Sequence, residues 1–208
     1  MVVPARVAAR VVVVAGPSGS GKTVLCRRLS QDRGWPVVNL DDFYKDGDDP
    51  TLPRTDLQGG QPVVDWDAPE SWSCAAALDA LTTLCREGCV DLPAYDIPSN
   101  ARVGTRTVEL GTASYVLVEG IFADLVVGPC REQGVLADAV CVHNPRHVTF
   151  VRRLVRDLRE HRKPPLVLVR RGLALLRAEP AVVARARDAG CRVVSSPLAF
   201  EELRSLGG

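Results

Sequence analysis

Several things are scarce in this chain, and each scarcity narrows what it can be. Net charge is almost absent: 26 lysines and arginines meet 25 acids, leaving +1 at neutral pH. The molecule as a whole therefore has no strong electrostatic bias toward a polyanion. Lysine is rare, at Lys22, Lys45 and Lys163 against 23 arginines, so a motif that demands a lysine is unlikely to arise here by chance. No C-x-x-C pair exists among Cys26, Cys74, Cys85, Cys89, Cys130, Cys141 and Cys191. An odd count without that spacing argues against a disulfide frame or a zinc site. It predicts reduced, mostly buried thiols in a cytoplasmic protein. The apolar run Val11–Ala15 is too short to span a membrane, and no signal peptide with a small-residue cleavage site is evident. Internal repeats and low-complexity linkers are also missing.

What is present is one full-sized core and one sharp motif. With 208 residues, 46% of them hydrophobic, a single domain spanning 1–208 is the natural expectation. Gly16-Pro17-Ser18-Gly19-Ser20-Gly21-Lys22-Thr23 reads G-x-x-x-x-G-K-[ST], between the apolar run Val11–Ala15 and a helical pattern with Leu25 and Leu29. Strand, glycine loop and helix are the context in which backbone N–H groups wrap phosphate oxygens and the helix presents its positive end to them. In such a loop Lys22 reaches the β- and γ-phosphates and the Thr23 hydroxyl binds Mg²⁺.

Charge is distributed unevenly despite its balance. Asn39–Asp96 holds thirteen acids and three bases, whereas Arg146–Arg192 holds thirteen bases and four acids. The first stretch suits metal- or hydroxyl-binding carboxylates and the second a phosphate-binding lid; either also reads as a solvated face.

Further along, Val37–Leu40 is a short buried strand ending in Asp41-Asp42-Phe43-Tyr44, and Lys45–Asp65 is a long loop. A helix is expected to start around Trp66-Asp67-Ala68-Pro69, with Asp67 or Ala68 as its cap. Its apolar stripe runs from Trp72 to Leu84 and Gly88 ends it. Cys89–Pro93 reads as a short strand, Ala94–Arg102 as a loop, and Thr105–Leu110 as a strand in a hairpin on the sheet edge. Tyr115–Gly120 is an apolar strand ending in Glu119, the type of acid that sits near Mg²⁺. After a strand at Ala137–His143, Asn144-Pro145 opens a helix on which Arg153 and Arg156 share a face. Two helices are expected at Leu166–Ala178 and Pro180–Ala189, parted at Glu179-Pro180, then a strand at Cys191–Ser195 and a helix at Pro197–Leu206. Alternating strands and helices predict an α/β three-layer domain with a mainly parallel sheet.

Five motifs beyond the glycine loop make the chain resemble the uridine kinase branch of the P-loop kinases, relatives of phosphoribulokinase and pantothenate kinase. Asp41-Asp42-Phe43-Tyr44 is similar to that group's D-x-F-Y element, and Trp66–Trp72 to its F-D-H-P-x-x-F element. Pro93-Ala94-Tyr95-Asp96 with Arg102 resembles P-x-Y-D…R. Glu119-Gly120-Ile121 resembles E-G-I, and Arg152–Asp157 the R-R-x-x-R-D start of a lid reaching about residue 165. The resemblance covers most of Val11–Lys163. It implies transfer of the ATP γ-phosphate to the 5′-hydroxyl of a pyrimidine nucleoside, with ATP and Mg²⁺ bound. By that resemblance Asp41 is the base and a Mg²⁺ neighbour, with Thr23 and Glu119 organising the ion. Asp67 holds sugar hydroxyls. Tyr44, Tyr95, Asn100, Arg102 and Ile121 line the acceptor pocket, and Arg153 and Arg156 close over the phosphates.

Departures from the pattern bear on the acceptor. Asn100 stands where a base-reading histidine is common, Ile97 where an aromatic is expected, and His161 and Lys163 where the lid usually has arginines. Another small alcohol as acceptor (a different nucleoside, a sugar phosphate or a pantothenate-like compound) and a non-catalytic ATP-binding module therefore stay open. A nucleic-acid binder is disfavoured by the acidic Asn39–Asp96 stretch and by the lack of aromatics among the arginines. No membrane partner is expected, and the oligomeric state stays open, a homo-oligomer included.

Overall fold

In the computed structural model of the chain, residues 9–55, 62–145, 149 and 165–207 are described. A five-stranded sheet lies at the centre. It comprises β1 (Arg10–Ala15), β2 (Val37–Asn39), β7 (Tyr115–Glu119), β8 (Leu136–Val142) and β9 (Arg192–Val194), in the order β2-β7-β1-β8-β9. Every pairing in it is parallel. The near-continuous valine run of β1 is explained by burial on both faces. Val11 and Val13 point into a core shared with Ala77, Leu81 and Leu84 of helix α2 (Cys74–Glu87) and with Val127 and Cys130 of α3 (Val127–Glu132). Val12 and Val14 point the other way, onto Leu25 and Leu29 of α1 (Lys22–Arg33) and Phe200 and Leu203 of the last helix, Ser196–Arg204. The result is the expected α/β three-layer arrangement.

Four local expectations are corrected. Helix α2 begins at Cys74, capped by the Ser73 hydroxyl accepting from the Ala76 N–H, so neither Asp67 nor Ala68 caps it. Pro69 instead opens a separate 3-10 turn, Pro69–Ser71, for which its fixed φ is suited. The strand expected to stop at Pro93 continues to Asp96 as β5 (Cys89–Asp96) and pairs antiparallel with β6 (Ala101–Glu109) across a turn at 97–100. This hairpin is a sheet of its own and does not extend the edge of the central one. Within the long 45–65 segment, β3 (Arg54–Thr55) and β4 (Val63–Val64) form a minimal ribbon. The two helices expected to part at Pro180 are one, α4 (Pro165–Asp188), with the proline inside it. Ser196–Arg204, now α5, completes the described elements.

One clamp fixes α4 to the rest. Arg185 donates from Nε and Nη2 to both oxygens of the buried Asp124, at 2.5 and 3.1 Å. The buried Glu179 carboxylate lies 3.2 Å from the His143 Nε2. No described helix is long and apolar enough to cross a membrane.

Candidate active site

In an open parallel sheet, ligands gather beyond the carboxyl ends of the strands, where neighbouring connections diverge. Here β1 lies between β7 and β8, and the glycine loop leaves its carboxyl end. Gly16 has φ +138°, and a Cβ built on it would meet the Val142 carbonyl oxygen at 2.4 Å; only glycine fits between loop and β8. Gly21 occupies the N-cap of α1 in the left-handed region, φ 98°, and no acid stands in the first turn. That end of the helix therefore keeps its positive character. The Lys22 Nζ donates to the carbonyls of Gly16 (2.8 Å) and Pro17 (3.1 Å). Asn144, at the end of β8, donates from Nδ2 to the Ser20 carbonyl at 2.6 Å and braces the loop from the far side. The sequence marks Asn144 only as a helix start; its partner, 124 positions away, is visible only in the fold.

The second element is supplied by strand register. Glu119, the last residue of β7, pairs with Val14 on one side and Asn39 on the other. That register puts its carboxylate beside the start of α1, where the Thr23 hydroxyl donates to Oε1 at 2.8 Å. Burial raises the Glu119 pKa, opposed by the Lys22 charge and the Thr23 hydrogen bond. Burial lowers that of Lys22, opposed by Glu119 and then by Asp41. Each charge thus partly compensates the other's desolvation.

Asp41 reaches the same place from β2. The strand ends in the 3-10 turn Leu40–Phe43, capped by the Asn39 side chain, whose oxygen accepts from the Asp41 N–H at 3.1 Å. Asn39 is thus the cap of this turn. A Cβ placed on Gly120 would lie 3.2 Å from Asp41 Oδ1 and 2.9 Å from Leu40 Cβ, so the absence of a side chain there lets the turn lie against the end of β7. Lys22, Thr23, Glu119 and Asp41 converge from three strands' carboxyl ends. A hydroxyl and two carboxylates are the hard-oxygen donors that Mg²⁺ accepts, so these residues fit that ion.

The acceptor-side residues assemble around an aromatic group. Tyr44 has ring centroids 5.8 Å from those of both Trp66 and Tyr95 and 6.1 Å from that of Phe122. Its hydroxyl donates to the Trp66 carbonyl at 3.2 Å. The Trp72 indole donates to the Leu40 carbonyl at 2.6 Å, tying α2's approach to the Asp41 turn. The Tyr95 hydroxyl donates to the Lys45 carbonyl at 3.1 Å, and burial raises its pKa. Asp67 is exposed, and its N–H donates to Asp65 Oδ1. Asn100 has φ 50°, a conformation Asn tolerates better than most residues, at the turn of the hairpin. Its carbonyl accepts from the Gly47 N–H at 2.7 Å. The Arg102 side chain is exposed while its backbone N–H donates to Asp46 Oδ1. Ile121 packs half-buried against the α2-side core. Ile97 is 50% exposed. Arg153 and Arg156, with His161 and Lys163, lie outside the described residues.

Residues 11–163 match the phosphoribulokinase / uridine kinase family over most of the chain. The chain belongs to that family. Family membership makes it a kinase of the P-loop type. A uridine kinase from Deinococcus deserti is 34% identical over 172 residues, 80% of this chain and 77% of that protein. One from Lactobacillus johnsonii is 27% identical, over 72% of this chain and 68% of its own. Among solved structures, a candidate fructose transport system kinase from Silicibacter sp. TM1040 superposes with a TM-score of 0.60 at 19% identity, covering 94% of this chain and 91% of that one. That likeness concerns the fold.

Proposed function

We infer that this kinase, a single domain, transfers the γ-phosphoryl group of ATP to the 5′-hydroxyl of a pyrimidine nucleoside. The observation that carries the reading is the convergence of Lys22, Thr23, Glu119 and Asp41 at the carboxyl edge of the sheet, with an aromatic group around Tyr44 and Tyr95 beside it. The names of the curated relatives point the same way for the acceptor.

The glycine loop, Gly16 to Thr23, would hold the triphosphate with backbone N–H groups and the Lys22 ammonium. Thr23, Glu119 and Asp41 would hold Mg²⁺. When bound, the ion would neutralise charge on the β- and γ-phosphate oxygens. Asp41 would accept the proton of the acceptor hydroxyl as its oxygen bonds to the γ-phosphorus and the bond to the β–γ bridging oxygen breaks. In a loose transition state this proton leaves late, so holding the hydroxyl in line matters more than basicity. Tyr44 and Tyr95 would flank the nucleoside, Asp67 and Arg102 its sugar, and Asn100 and Ile121 the far end of the pocket. Arg153 and Arg156 would cover the phosphates.

Charge on the acceptor side favours a neutral acceptor over a sugar phosphate. Asp41, Asp42, Asp46 and Asp67 belong to that side; the Arg106 guanidinium is engaged by Asp42, which leaves three acids against Lys45 and Arg102. A phosphate monoester there would meet more negative than positive charge.

The test is ADP release with Mg-ATP against uridine, cytidine, adenosine, ribulose 5-phosphate, pantothenate and no acceptor. Turnover that depends on uridine or cytidine is expected. Turnover only with ribulose 5-phosphate or pantothenate would replace the acceptor, and ATP binding without any turnover would contradict the catalytic reading.

A further inference from the structure

The turn that carries Asp41 also carries Asp42, and the two carboxylates serve different neighbours. Successive residues of a 3-10 turn point about 120° apart. Asp41 lies by Gly120 at the end of β7, whereas Asp42 reaches the hairpin β5–β6. Its Oδ2 accepts from Arg106 Nη2 at 3.1 Å, and its Oδ1 accepts from the Tyr95 N–H at 3.4 Å. The Asp42 side chain is only 14% exposed, so losing a partner would leave a carboxylate oxygen poorly hydrated.

Among the described residues no strand ladder joins the hairpin to the central sheet. Leu92 and Val108 anchor its base in the core. Beyond that, its polar ties run to the segment that follows Asp41. The Tyr95 hydroxyl donates to the Lys45 carbonyl, the Arg102 N–H to Asp46, and the Gly47 N–H to the Asn100 carbonyl. The two ties to Asp42, from Arg106 and from the Tyr95 N–H, adjoin Asp41, and the ion pair is the shorter of them.

We propose that Asp42 and Arg106 are positioning residues: their ion pair couples the hairpin to the Asp41 turn, so that an acceptor held by the hairpin aligns Asp41 with its hydroxyl. This rests on the acceptor side assigned above. Neither residue touches the reacting atoms. Their contribution is the relative placement of two elements that no backbone ladder fixes.

The test uses Asp42→Asn, Arg106→Gln and the double variant of the full chain, with uridine as acceptor probe. Each single change should raise KM for uridine and lower kcat, each by roughly 5- to 20-fold, with KM for ATP within about twofold of wild type. The double variant should be no worse than the worse single one, because both remove one interaction. Hydrogen exchange of the unliganded protein should quicken together in residues 43–47 and 95–106 in either variant, while α1 keeps its protection. Unchanged uridine kinetics, equal losses toward ATP and uridine, additive losses, or faster exchange confined to one segment would each overturn the proposal. If wild type does not turn over uridine, the acceptor assignment fails, and hydrogen exchange alone decides the coupling. If Asp42→Asn does not fold, Arg106→Gln, whose side chain is 40% exposed, carries the test.

Discussion

At the scale of single residues, the site depends on atoms that are missing as much as on those present. Gly120 leaves room for Leu40 and Asp41, with 2.9 and 3.2 Å to the nearest atoms of an added Cβ. Gly120→Ala should therefore push the Asp41 turn off the end of β7. We expect a stability loss of about 1–3 kcal/mol by thermal unfolding, and a fall in kcat of about tenfold or more. A fully active Gly120→Ala protein would show that Asp41 needs no such approach. The buried charges make a second prediction. Glu119 is shifted up from 4.5, mainly by burial, so it takes up its proton at a higher pH than a solvated glutamate. Lys22 is shifted down from 10.5, again mainly by burial, so it loses its proton at a lower pH than a solvated lysine. A site that needs an ionised Glu119 and a protonated Lys22 works between those two inner limits. A carboxyl ¹³C titration of the free protein, assigned with Glu119→Gln, should place the Glu119 midpoint above 4.5. A midpoint at or below 4.5 would contradict the burial argument.

At the scale of elements, the sequence was most legible where chemistry demands local pattern. The glycine loop and the ends of β2 and β7 follow from residues that sit next to one another: Gly16–Thr23, Asp41–Tyr44, Glu119–Gly120. Elements decided by long-range packing were read less well. Asp67-Ala68-Pro69 has the composition of a helix start, yet Ser73 makes the capping hydrogen bond, because a 3-10 turn intervenes. Ala94–Arg102 has the composition of a loop, but antiparallel pairing carries β5 on to Asp96 and starts β6 at Ala101. Pro180 looks like a break, and the Arg185–Asp124 clamp on α4 helps hold the helix beyond it. The brace from Asn144 and the Asp42–Arg106 pair join residues 124 and 64 positions apart, a relation no local pattern encodes. The proline gives an element-scale prediction. A proline inside a helix forgoes one backbone hydrogen bond and crowds the preceding turn. Pro180→Ala should raise stability by up to about 3 kcal/mol in a denaturant titration, without changing kcat. A destabilised variant would mean that α4 needs the proline's geometry.

At the scale of the whole molecule, the expectation of mostly buried thiols holds for five of the seven cysteines. Cys26, Cys85, Cys130, Cys141 and Cys191 are buried, Cys74 is partly so, and Cys89 is exposed on β5. Burial pushes the thiols of Cys85 and Cys141 up to about 11, and those of Cys130 and Cys191 up to about 12. The nucleophile is the thiolate, so these groups are both shielded and protonated at neutral pH. Alkylation of the folded protein near pH 8, read by mass spectrometry, should modify Cys89 quickly and the five buried thiols only on unfolding. Rapid modification of Cys141 or Cys26, which flank Lys22 in the core, would contradict the packing around the glycine loop. The same packing delivers Lys22, Thr23, Glu119 and Asp41 to one edge of one sheet, and the proposed chemistry rests on that delivery. Its most direct test is transfer of labelled γ-phosphate from ATP to uridine at saturating Mg-ATP, comparing wild type with Asp41→Asn. Labelled uridine 5′-monophosphate from wild type, with kcat at least about a hundredfold lower in a variant that still binds ATP, is the predicted result. Equal transfer by both proteins would contradict the role of Asp41, and no transfer by wild type would contradict the proposed reaction.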